Sequence, residues 1–243
     1  MNTYKKEEGM LVVTNYNQMG EIKEFLRRCQ IYYPKAQTVI VDDGSSDGSR
    51  EYAEAEGFHV LRHEKNMGTG AAIRSGVQHA ISQGYKWVVL SSSNGKIRPE
   101  DYATVYTPIL TGEADYVTGS RFIEGGNSPG LTNFRRWAIP VFSLMTYPLI
   151  GRRFSDITCG FRAYTLDFFN DQRFNINQSW LNRYEYEYYV HYWACKVGLR
   201  IKEVPVTIAY SHLGKGRISK IKPFSGWWSM IRPLLFLRLG IKH

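Results

Sequence analysis

A chain of 243 residues with 43% hydrophobic content can bury one sizeable core, and no Pro-, Gly- or Ser-rich linker divides it into independent halves. A net charge of +9 favours an anionic partner, but no nucleic-acid-binding module accompanies it, so nucleic acid is not expected among the partners. Cys29, Cys159 and Cys195 show neither CxxC nor zinc spacing, which fits a reducing cytosol; the charged N-terminus lacks a signal-peptide core, and nowhere do about eighteen uninterrupted apolar residues mark a membrane span.

Short apolar runs alternate with amphipathic stretches through the first half. Strands are predicted at Met10–Thr14 ("MLVVT"), Gln37–Asp43 ("QTVIVDD"), Phe58–Glu64 ("FHVLRHE"), Lys86–Ser91 ("KWVVLS") and Ala114–Ser120 ("ADYVTGS"). Helices are predicted through "EIKEFLRRCQIYY", "SREYAEAEG" and "GTGAAIRSGVQHAISQG", and again from near Pro99. This alternation specifies an α/β fold with a mostly parallel sheet covered on both faces. Ligands of such sheets bind beyond the carboxyl ends of the strands, which here are "TNYNQ", "VDDGSSDGS", "EKNMGTG", "LSSSNGK" and "GSRF".

In "VDDGSSDGS" a carboxylate at a strand end can accept the N–H edge of a uracil or guanine base, although a bare Asp-Gly turn with a Ser or Asp helix cap explains the string as well. "EKNMGTGAA" lacks the third glycine of a dinucleotide fingerprint and follows the third strand, so it reads as a glycine-rich helix entry exposing N–H groups to a phosphate or ribose, which simple helix capping explains about as well. The second half holds "LTNFRRWAIPVFSLMTYPLIGRR", an apolar aromatic helical stretch interrupted by Pro140 and Pro148 with arginines at both ends. A helix in "RYEYEYYVHYWACKVG", strands in "LRIKEVPVTIAY", a basic loop "HLGKGRISKIK" and a Trp/Phe/Leu tail of interfacial composition complete it.

Taken together, "VVTNYNQ", "VIVDDGSSDGS", "NMGTGAAIRSG", "VTGSRF", "DITCGFRAY" and "EVPV…GRISKIKPF" occur in the order of family 2 glycosyltransferases with the GT-A fold. The chain resembles the dolichol-phosphate mannose synthase-like branch over roughly residues 8 to 225. That resemblance implies a GT-A domain over 1–222, a C-terminal amphipathic, membrane-interface segment over 223–243, and inverting transfer of a sugar from a UDP- or GDP-linked donor to a polyprenyl (dolichyl-like) phosphate. It also implies a cytoplasmic protein, peripheral on the membrane face, and leaves the oligomeric state undefined.

By the same resemblance, Thr14, Tyr16, Asn17 and Gln18 line the nucleotide pocket in place of a Pro-x-Tyr-Asn-Glu string, Asp42 reads the base, and Gly68 lies at the donor. Arg121, Arg135, Arg136, Ser143 and Arg217 fall where acceptor contacts lie, and Lys96, Arg121, Asp156 and Lys220 are the expected catalytic group. The Asp-x-Asp that holds Mg²⁺ or Mn²⁺ in the family is replaced by Ser92, Ser93 and Asn94, with Lys96 two positions on. Hard cations want carboxylate oxygens. No metal cofactor is therefore expected, Asn94 being the one weak ligand, and the Lys96 ammonium is expected to stabilise the leaving diphosphate itself. Two alternatives stay open: a glycosyltransferase with a soluble small-molecule acceptor, and a non-catalytic nucleotide-sugar-binding protein.

Overall fold

The computed structural model describes residues 3–210 and 225–242. Seven strands form one sheet in the order β3-β2-β1-β4-β6-β5-β7. β1 (Gly9–Asn15), β2 (Thr38–Asp42), β3 (His59–Arg62), β4 (Trp87–Ser92) and the β5–β7 pair (Tyr116–Ser120, Ile201–Pro205) follow parallel pairings, while β6 (Arg162–Thr165) runs antiparallel between β4 and β5. The strands alternate apolar residues between two covered faces. Val12, Val39, Val41, Val88 and Leu90 point into one core, and Leu11, Val13, Ile40, Trp87 and Val89 into the other.

Helices α1 (Met19–Tyr32), α2 (Ser49–Ala55), α3 (Thr69–Ser82), α4 (Tyr102–Leu110), α5 (Asn133–Ile150), α6 (Glu185–Lys196) and α7 (Ser225–Arg238) cover the sheet. The parallel α/β expectation holds, and the predicted elements are found within a few residues of their expected bounds. Two differences matter. Pro140 and Pro148 do not interrupt α5, which runs through both. "RAYT" is a strand that the sequence pattern did not reveal, because four residues buried on both faces carry no alternation to read.

α7 packs on α5 and α6. Met230, Leu234 and Leu237 recur at helical spacing on its buried face, and Arg232 pairs with Glu185 at the start of α6. The tail thus contributes to the core; the expected boundary at residue 222 lies outside the described residues. Among the described residues no helix is long and apolar enough to cross a membrane.

Candidate active site

The register brings the carboxyl ends of the central strands side by side: Asn15 pairs with Asp42, and Thr14 with Ser92. Above these ends lies a cavity of ≈ 1290 Å³. Its one side is built from β1, β2 and the α3 entry, its other from β5, the segment before β6, the first turns of α5 and the start of α6.

On the first side, Thr14, Tyr16, Asn17, Gln18, Gly68, Ser92, Asn94 and Lys96 all line the cavity. Asn17 occupies the left-handed region at φ 52°, and its side-chain oxygen accepts the Ser46 N–H at 2.9 Å. Gly68 has φ 105°, and a Cβ there would lie 2.4 Å from the Asn182 carbonyl, so the backbone approach at the α3 entry requires glycine. Asn94 Oδ1 accepts the Lys96 backbone N–H at 3.1 Å, and Lys96 Nζ stands 5.5 Å from the Tyr210 ring centroid.

Asp42 differs from expectation. It is fully buried behind the wall, one carboxylate oxygen accepting Asn15 Nδ2 at 2.8 Å and the other the Ser45 N–H at 2.9 Å. Its neighbour Asp43 lines the cavity instead, because side chains alternate at the strand's exit. Asp47 accepts the Met19 N–H at 2.8 Å and the Ser49 N–H at 3.0 Å, tying the starts of α1 and α2 to the same loop.

On the second side, Arg121 reaches the cavity but is heavily committed. Its guanidinium donates from Nε to Asp156 Oδ2 at 2.6 Å, from Nη2 to Asp156 Oδ1 at 2.7 Å and Thr158 Oγ1 at 2.6 Å, and from Nη1 to the Tyr210 hydroxyl at 2.6 Å. One Nη1 hydrogen is left for an acceptor. Burial works against its charge, but the Asp156 carboxylate outweighs burial and holds the guanidinium above its ordinary pKa. Asp156 is fully buried and off the cavity wall, so its role is to hold Arg121.

Arg135, in the first turn of α5, lines the cavity; burial and then the nearby Arg121 charge hold it below the ordinary guanidinium value, although the Tyr210 hydroxyl pulls the other way. The α5 N-terminus beside it has no side-chain cap. Arg136 is exposed and does not line the cavity, since a one-residue step turns a helical side chain by about 100°. Ser143 is also displaced from its expected role: it is buried, and its hydroxyl accepts the Ile157 N–H at 3.1 Å. Arg217 and Lys220 lie outside the described residues.

Three contributors escaped the sequence reading. Glu187 on α6 brings a carboxylate into the cavity, 3.7 Å from the buried Arg162 Nη1. A Cβ on Gly160 would come 3.0 Å from Glu187 Oε1, so glycine makes room for that carboxylate. Glu203 on β7 accepts the Ser155 N–H at 2.9 Å and so braces the segment that carries Asp156; the "EVPV" string was the available signal. Cys159 also lines the cavity, but burial pushes its thiol up to about 12, which removes it as a nucleophile at neutral pH.

The chain matches the family described as glycosyl transferase family 2 over residues 10–173. It is 27% identical over 215 residues to the undecaprenyl-phosphate mannosyltransferase of Micrococcus luteus, covering 86% of this chain and 87% of that one. It is 24% identical over 216 residues to the polyprenol monophosphomannose synthase of Mycolicibacterium smegmatis, covering 86% and 80%. In fold it is similar to the Mycobacterium tuberculosis glucosyl-3-phosphoglycerate synthase solved with Mn²⁺, UDP and glucosyl-3-phosphoglycerate, with a TM-score of 0.67, 19% identity, and 97% of this chain and 81% of that one covered.

These solved structures correct the expectation of a site without a metal cofactor, with Lys96 in its place. The synthase of the same fold holds Mn²⁺ together with UDP or UDP-glucose. Among the described residues no three His, Cys, Asp or Glu side chains gather as a ligand set, and the end of β4 offers the neutral oxygens of Ser92 and Asn94.

Proposed function

The chain belongs to glycosyl transferase family 2 and is a GT-A glycosyltransferase moving a sugar from a nucleotide-sugar donor, and from that premise we propose that its acceptor is a polyprenyl phosphate. The observation that carries this reading is the two-faced character of α5. Arg135 turns into the cavity beside an uncapped helix N-terminus, a pairing suited to a phosphate. The same helix exposes Phe134, Trp137, Val141 and Leu144, at 55%, 57%, 45% and 54%, along the face leading away from that point. A phosphate headgroup at Arg135 leaves its lipid chain beside this apolar stripe, which rests in a membrane interface with Arg136, Arg152 and Arg153 facing acidic headgroups.

In this reading the acceptor phosphate, already ionised at neutral pH, attacks the anomeric carbon from the face opposite the leaving nucleoside diphosphate and inverts it. Lys96 contacts the departing diphosphate, and Arg121, held by Asp156, offers its remaining N–H to the acceptor. Ser92 and Asn94 are the residues that would hold a divalent cation at the end of β4, where it would supply charge neutralisation for the donor diphosphate. Thr14, Tyr16, Asn17, Gln18 and Gly68 hold the nucleotide.

A second reading is favoured by Glu187. A soluble acceptor attacking through a hydroxyl needs a base, and a cavity carboxylate can supply one. Incubating the protein with UDP- and GDP-sugars, offering either polyprenyl phosphate in vesicles or soluble phosphorylated hydroxy acids, separates the two. Product on the polyprenyl phosphate, retained in Glu187→Gln, supports the first; product on soluble acceptors alone, abolished by Glu187→Gln, replaces it with the second.

A further inference from the structure

His63 follows β3 and lies outside the cavity wall, yet both its ring nitrogens are engaged. Nδ1 is 2.8 Å from Asp43 Oδ1, and Nε2 is 2.9 Å from the hydroxyl of Ser75 on α3. Asp43 is in turn the pivot of the α3 entry, Oδ1 accepting the Met67 N–H and Oδ2 the Gly68 N–H, each at 2.9 Å. Asp43 and Gly68 line the nucleotide side of the cavity; His63 and Ser75 do not.

We propose that His63 is a positioning residue for the nucleotide: bridging Ser75 to Asp43, it fixes the Asp43 carboxylate and, through it, the Met67–Gly68 turn against which the donor binds. The inference rests on the donor-site reading and adds a layer behind it. With Nδ1–H donated to the carboxylate and Nε2 hydrogen-bonded to the Ser75 hydroxyl, the ring is held in one orientation. A carboxylate has about four acceptor positions, and three are taken, leaving one on Oδ2 for a polar hydrogen of the nucleotide. Without the ring, Oδ1 keeps only the Met67 N–H, and the carboxylate can rotate away from that alignment.

The test uses the full chain, with UDP and GDP as calorimetric probes and the donor sugar in steady state. His63→Ala is expected to weaken nucleoside diphosphate binding and raise the donor KM roughly ten-fold, with kcat and the acceptor KM within two-fold. His63→Asn, which retains a side-chain N–H in reach of Asp43, should recover most of the affinity, and Ser75→Ala should show roughly a three-fold loss. A purely structural role predicts reduced melting temperature with unchanged donor KM in the folded fraction; that result overturns the proposal. Should His63→Ala fail to fold, Ser75→Ala and His63→Asn decide it: both at wild-type affinity overturn it. Wild-type protein that binds neither UDP nor GDP overturns the donor-site reading itself.

Discussion

Arg121 and Asp156 meet as a two-point ion pair, with Nε on Oδ2 at 2.6 Å and Nη2 on Oδ1 at 2.7 Å, both side chains almost wholly withdrawn from solvent. Removing one partner of such a pair strands a buried charge, at about 3 to 5 kcal/mol. Asp156→Ala is therefore expected to lower the melting temperature by about 10 °C. Its activity should collapse with it, because the freed guanidinium loses its alignment. Calorimetric melting beside an activity assay checks both.

The two adjacent arginines of α5 should separate cleanly. Arg135→Ala removes a charge-assisted contact inside the cavity and should raise the acceptor KM roughly ten- to a hundred-fold. Arg136→Ala, outside the cavity, should leave activity on a detergent-solubilised or soluble acceptor unchanged. Steady-state kinetics at fixed donor concentration tests the pair.

Chelation should stop turnover, and Mn²⁺ or Mg²⁺ should restore it, with a high half-activating concentration because the end of β4 supplies neutral oxygens. Asn94→Asp restores one carboxylate and should lower that concentration roughly ten-fold. A titration of activity against free cation in the two proteins measures the difference.

His191 gives stability a pH dependence. It is fully buried, its Nδ1 is hydrogen-bonded to the Tyr116 hydroxyl at 2.6 Å, and burial with the neighbouring Arg162 charge holds its pKa well below the ordinary value. Between its folded and unfolded pKa values the unfolded chain binds the extra proton, so stability rises with pH there. It is fully present above about 6.5 and is lost as pH falls below that, by up to about 1.4 kcal/mol per pH unit. Melting temperatures from pH 7.5 to 5 should fall accordingly, and the slope should flatten in His191→Gln.

Periodicity made the parallel half of the sheet readable, since β1, β2 and β4 are apolar runs closed by polar turns, those after β2 and β4 rich in glycine and serine. The cavity residues at their exits followed from the same rule, Asn94 and Lys96 included. Which of two adjacent aspartates faces the cavity did not follow, because that depends on the twist at the end of β2, where Asp42 turns back to Asn15 and Asp43 forward. Ser143 and Arg136 were displaced for a similar reason: helical phase is set by packing, here Ala138 and Phe142 against the core. Glu187 was hidden among the tyrosines of α6, where no local pattern distinguishes a cavity carboxylate from a solvated one.

β6 enters the sheet at the end where its neighbours leave it, so the segment carrying Asp156, Cys159 and Gly160 reaches the cavity before its strand begins. Arg162, at that entrance, donates to the Cys159 and Ile157 carbonyls, and Glu203 grips Ser155 from β7. The two walls consequently differ in how they tolerate mutation. Loops on the side of β1, β2 and the α3 entry hang from strand exits, downstream of the paired residues. On the opposite wall the segment before β6 is held from two sides, by Arg162 and by Glu203, so an insertion there breaks those hydrogen bonds. Exchange of residues in that wall is therefore constrained by its own backbone ties as well as by the cavity it lines.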